Sequence, residues 1–95
     1  MHATVRTYSG KGSKELIDLL EKRNRDVKEL ITSIKGFVSY SLVRTADGGF
    51  SVSVYQDKAG ADESMKKARE WIGQNASGTG ANAPTVSEGS VVLHA

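Results

Sequence analysis

Arg6 and Tyr8 stand two residues apart in Ala3–Tyr8, a stretch that alternates as a strand does. The guanidinium and the phenol therefore share one face. Ser51, Ser53 and Tyr55 recur at the same spacing between Phe50 and Gln56, and Tyr40 and Leu42 do so between Phe37 and Arg44. On one surface, a guanidinium could hold an anionic or enolate oxygen, and a tyrosine could orient a carbonyl or donate to it. The same residues could instead pack an interface, with Arg6 paired to a carboxylate and the tyrosines filling space. The residues alone leave both readings open.

Other chemistry has less support. The chain has no cysteine, so it offers no disulfide, thiolate nucleophile or zinc–thiolate site. His2 and His94 are the only histidines, and a metal needs more ligands, so no metal is expected. Ser51 and Ser53 have no recognisable base partner for a hydrolytic triad. Gly10-Lys11-Gly12 lacks the phosphate-loop pattern. Trp71 could close a pocket, although a tryptophan in such a position is more often core or interface.

The elements that must position these residues are legible. Ala3 to Tyr8 reads as the first strand, and Ser13 as the N-cap of a helix from about Lys14 to Ile34. Leu16, Ile17, Leu20, Val27, Leu30, Ile31 and Ile34 form its apolar stripe, interrupted by the charged run Glu21 to Asp26. Phe37–Arg44 and Phe50–Gln56 alternate on either side of Ala46-Asp47-Gly48-Gly49, a hairpin signal. With Asp47-Gly48 in the turn, Leu42 lies opposite Ser53 and Tyr40 opposite Tyr55. A second helix is expected from about Ala59 to Gln74, capped near Asp57, with Ala61, Met65, Ala68 and Ile72 inward. Asn75 to Pro84 reads as a mobile loop, and Val86 to His94 as the last strand, with Val92 on the face of Ser90 and His94.

This β-α-β-β-α-β order predicts an α+β, ferredoxin-like fold: a four-stranded antiparallel sheet with two helices on one face. The 95 residues make a single domain, 1–95. The hairpin has two distinct faces. Val38, Tyr40, Leu42, Arg44, Ser51, Ser53 and Tyr55 share one; Phe37, Val43, Phe50, Val52 and Val54 share the other. The second set is more aliphatic and is expected under the helices. The first, joined by Val92, is then left open and too apolar to stay wet, so it should find a partner.

Thirteen basic against eleven acidic residues leave a net charge of +2, too weak to argue for nucleic acid or an anionic membrane. No apolar run approaches the roughly 20 residues of a membrane span. The start of the chain lacks a secretory apolar stretch, and the absence of cysteine is compatible with a reducing cytoplasm.

Gly36-Phe37-Val38-Ser39-Tyr40-Ser41-Leu42, followed by Phe50 to Asp57, resembles the antibiotic biosynthesis monooxygenase-like family of the dimeric α+β barrel superfamily. Members carry a glycine-initiated strand with an alternating tyrosine, then a strand ending in an aromatic and an acidic residue. Tyr55 stands where many members have tryptophan, and Asp57 follows. Tyr55 to Ser64, with Val86-Ser87-Glu88-Gly89, also looks like a subgroup of small bacterial proteins of this kind. The resemblance implies a homodimer through sheet faces and oxygenation of a small aromatic or polyketide-like compound without metal, flavin or other cofactor. A heme-degrading branch adds a histidine on the second helix, where this chain has Ser64, Met65 and Lys66. On the enzymatic reading Arg6, Tyr8 and Tyr55 are catalytic, and Tyr40, Leu42, Ser53, Trp71 and Val92 contact the substrate. The alternative is a non-catalytic ligand-binding or stress-associated homodimer of the same fold.

Overall fold

A computed structural model describes residues Met1–Ala95. The elements are β1 (His2–Ser9), α1 (Ser13–Lys22), α2 (Asn24–Thr32), β2 (Phe37–Thr45), β3 (Gly48–Tyr55), α3 (Lys58–Asn75) and β4 (Thr85–Ser90). A single 3-10 turn, Ser77–Thr79, precedes β4. The four strands form one sheet in the order β2-β3-β1-β4, with every neighbour antiparallel. No helix is long and apolar enough to cross a membrane.

The first expected helix is two. Arg23 (φ −100°, ψ 27°) breaks it between α1 and α2. The charged run buries little, so packing does not oblige the helix to stay straight there. Asn24 donates from its side chain to the Glu21 carbonyl at 2.7 Å, competing with the helical ladder. Three helices, rather than two, therefore cover the sheet. Ser13 is also not the cap: Gly12 holds that position at φ 75°, and Ser13 opens α1 with its hydroxyl buried and unpartnered. Asp57 does cap α3, its side chain accepting from the Gly60 amide at 2.9 Å.

The hairpin differs in register from the expectation. Thr45 pairs with Gly48, so Ala46-Asp47 makes the turn; Leu42 lies opposite Ser51 and Tyr40 opposite Ser53. A shift of one in the turn centre preserves which residues share a face. A bulge between Phe37 and Ser39 then changes the parity at the start of β2. It brings Phe37 onto Tyr55, edge to face, with ring centroids 5.9 Å apart.

The covered face is the opposite of the one expected. Helices α1–α3 pack on Thr4, Arg6, Tyr8, Tyr40, Leu42, Ser51, Ser53 and Tyr55, while Val5, Val43, Phe50, Val52 and Val54 lie on the other side. Small residues make the approach possible. A Cβ on Gly49 would stand 2.8 Å from Ile17 Cδ1, and one on Gly60 would stand 2.8 Å from the Lys35 carbonyl and 3.1 Å from the Tyr55 ring. The tyrosine rings span the layer gap that the flat valine face could not fill. Tyr55, fully buried, joins Tyr8, Leu16, Ile17, Leu20 and Ile31 in the core.

Candidate functional site

β1 aims Thr4, Arg6 and Tyr8 between the layers; β3 adds Ser51 and Ser53, and β2 adds Tyr40 and Leu42. Leu20, Val27, Leu30 and Ile31 close the space from α1 and α2, and Ala61, Ser64, Met65, Ala68, Trp71 and Ile72 close it from α3. The result is a narrow waist of about 30 Å³, enough for water and too small for a ring. It widens at both ends. Toward the β2 edge it meets a cleft of about 430 Å³, sharing Leu20, Val27, Ile31, Tyr40 and Leu42 as a common wall. Toward β4 it meets a second cleft of about 380 Å³, sharing Arg6, Tyr8, Met65 and Ile72.

Arg6 dominates the electrostatics. Its Nε is buried without a hydrogen-bond partner, and its Cζ lies 5.6 Å from the centre of the Tyr8 ring. That cation–π contact is its visible compensation, since no carboxylate pairs with it. Burial pushes the Tyr8 phenol above the ordinary 10.0, and Arg6 pulls the other way. Tyr40 is pushed up by burial and then by Tyr8, against the pull of Arg6 and the Ser51 hydroxyl. Both phenols are therefore protonated donors at neutral pH. Thr4 contributes a second unpartnered buried atom, its Oγ1.

Of the residues expected here, Arg6, Tyr8, Tyr40, Leu42, Ser53 and Trp71 meet around the waist. Two do not. Tyr55 lies outside the lining: its hydroxyl donates to the Ile31 carbonyl at 2.8 Å, which corrects its place at the reacting centre. Val92 lies beyond β4 and is 96% exposed, because the strand ends at Ser90 instead of His94. Trp71 is braced from outside by the Arg23 guanidinium, 5.3 Å from its ring centre, while Arg23 also bonds Asp26 at 2.8 Å. Sequence reasoning missed Thr4, although alternation from Arg6 places it on the same face. It also missed Ser64, one position before the Met65 of the apolar stripe.

No Asp, Glu or His lines the waist. The site can bind an anionic oxygen and donate hydrogen bonds, but it presents no ordinary base. His2 pairs instead with Glu88 at 2.8 Å on the β1–β4 side. No group of three or more His, Cys, Asp or Glu side chains is placed to hold a metal.

No family model and no curated protein matches the chain. Solved structures do. A protein of unknown function from Nitrosomonas europaea, NE2512, superposes with TM-score 0.70 at 12% identity, covering 99% of this chain and 90% of that one. A dimeric ferredoxin-like protein from an uncultured marine organism gives 0.66 at 19%, covering 99% and 94%. SnoaB, a cofactor-independent oxygenase from Streptomyces nogalater, gives 0.60 at 11%, covering 98% and 92%. The fold is ferredoxin-like. At these identities the likeness speaks for the fold alone. Within that ferredoxin-like group the neighbours include antibiotic biosynthesis monooxygenase-like and dimeric proteins, in keeping with the resemblance read from Gly36 to Asp57.

Proposed function

We propose that the chain is a homodimeric, cofactor-independent oxygenase of small aromatic or polyketide-like compounds. The observation that carries the reading is Arg6, half-buried between the layers with its Nε buried and unpartnered and no carboxylate beside it. A guanidinium nitrogen taken out of water without a partner is costly, and an anionic ligand would relieve that cost. Tyr8 and Tyr40, held protonated by burial, would donate to the same oxygen. The waist is too small for a ring, so the ring occupies a wide end and its acidic oxygen reaches inward to Arg6. Leu42, Ser53 and Trp71 border that path. Arg6 lowers the pKa of the bound oxygen acid, whose proton passes to water, and the electron-rich anion reacts with dioxygen directly: one oxygen atom stays on the ring carbon as a carbonyl, the other leaves as water, and the substrate supplies all four electrons. Tyr55 acts as a tie between sheet and helix, not in the reaction.

The open sheet face supports the dimer. Val5 and Val52 are cross-strand partners there, beside Phe50 and the 38% exposed Val43. A second copy covering this face would remove apolar area from water at about 25 cal/mol per Å². The cysteine-free sequence supports a cytoplasmic protein.

Oxygen consumption with a panel of hydroquinone- and anthrone-type compounds tests the reading. Uptake by the wild type, lost in Arg6→Ala and partly kept in Arg6→Lys, is the expected result. Tight binding across the panel with no uptake would sink the oxygenase. It would favour the second reading, a non-catalytic ligand-binding dimer, which already has one observation on its side: no base lines the waist.

A further inference from the structure

The cleft at the β4 end has a one-sided charge pattern. Arg6 and Arg69 both line it, and no Asp or Glu does. Neither arginine has a carboxylate within ion-pair distance, whereas Arg23 and Arg44 are paired with carboxylates. Two guanidiniums on the wall of one space of about 380 Å³ favour an anion there. The remaining wall is largely apolar, with Leu16, Ile72 and Pro84, and Asn82 adds an amide. The volume falls in the range of small-molecule sites.

The outer wall is built and held. Asn82 donates its backbone N–H to the Lys11 carbonyl at 3.2 Å, and the preceding segment lies so close to Gly12 that a Cβ there would stand 2.5 Å from the Ala81 nitrogen and the Thr79 carbonyl oxygen. The segment expected as a mobile loop is thus seated on the β1–α1 turn and presents Ala81 to Pro84 to the cleft.

The geometry points to a carboxylate-binding subsite formed by Arg6 and Arg69, which takes aromatic acids with the apolar body against Ile72 and Pro84. Two guanidinium forks suit a carboxylate, because each can offer paired donors. The inference deepens the proposed function by naming the group recognised, and it rests on Arg6 facing a ligand. Arg69 is then a specificity residue on α3 that no sequence motif marked.

Titration of the full chain with 2-naphthoate, followed by calorimetry and amide NMR, with the neutral 2-naphthamide as control, tests it. The acid should bind at least about tenfold more tightly than the amide. It should shift the amides of Ile72, Gly73, Asn82 and Ala83. Arg69→Gln, at an exposed position, should bring the acid down to the level of the amide, and Arg25→Gln on α2 should leave the preference intact. Equal binding of acid and amide overturns the subsite. So does no binding of the acid at millimolar concentration, an unchanged preference in Arg69→Gln, or shifts confined to Asn24, Lys28 and Thr32 in the other cleft. Oxygen uptake without a preference for acids removes the subsite and leaves the oxygenase. A preference for acids without oxygen uptake removes the oxygenase and leaves the subsite.

Discussion

The phenol of Tyr55 donates to the backbone carbonyl of Ile31 at 2.8 Å, joining the end of β3 to the last turns of α2. Both residues are buried, and Phe37 packs edge-on against the same ring. This bond ties the sheet to the helix that walls the site. Tyr55→Phe keeps the ring and removes only the bond. A loss of about 1–2 kcal/mol is expected, the value of a buried hydrogen bond whose acceptor is left without its donor. Urea denaturation checks it; an unchanged midpoint would mean the bond contributes nothing net. Oxygen uptake per folded molecule should survive the change, in contrast to Arg6→Ala.

Gly12 and Gly73 make a matched pair. Gly12→Ala forces a side chain into a left-handed backbone at φ 75° and onto Ala81 and Thr79. It should cost well over about 1 kcal/mol and loosen the wall of the β4-side cleft. Gly73 lies inside α3, and a methyl group added there would meet nothing within 4 Å. Gly73→Ala should therefore stabilise by about 0.5–1 kcal/mol. Thermal unfolding of both variants reads the two signs directly.

Alkaline pH should destabilise the protein. Tyr8, Tyr40 and Tyr55 all have phenols raised above the ordinary 10.0, chiefly by burial. Between the unfolded and folded values the native state holds more protons than the unfolded one, so stability falls as pH rises. The contribution is fully present below pH 10.0 and lost as the pH climbs through the raised folded values. Urea midpoints measured from pH 7 upward should be flat from this source and then decline beyond about 10. Tyr40→Phe should make the decline shallower. Arg6→Met should move the Tyr8 titration still higher, because the opposing charge is gone; ultraviolet titration of the phenols would show it.

The open sheet face predicts an assembly. Val52→Lys places a charge beside Val5 at the middle of that face. The wild type should sediment as a dimer at micromolar concentration and the variant as a monomer with unchanged helix content. Two species of equal mass would move the interface elsewhere.

Much of the site was legible because alternation is robust. Tyr40 and Leu42 share a face with Ser51 and Ser53 whichever pair of residues makes the turn, since moving the turn centre by one leaves parity unchanged. Tyr55 was misread because alternation gives a face and not a depth: its hydroxyl reaches past the site to Ile31. Val92 was misread because the apolar run Val91–Leu93 looks like strand, yet pairing with β1 stops at His2–Ser90, where β1 itself begins.

By itself the sequence determined the order of strands and helical segments save the break at Arg23, the hairpin, the residues that travel together on each face, and the lack of thiol chemistry. Tertiary structure decided which face the helices cover. Alternation is symmetric about the sheet plane, and both faces carried enough apolar area to be buried. The choice went to the face where Gly49, Ser51 and Ser53 are small enough to admit Ile17 and the other helix side chains, and where tyrosines are long enough to bridge the gap. Only that packing left the Arg6 Nε buried without a partner and set Arg69 on the same cleft, because the two meet one space only where α3 crosses β1, a contact between residues far apart in the chain.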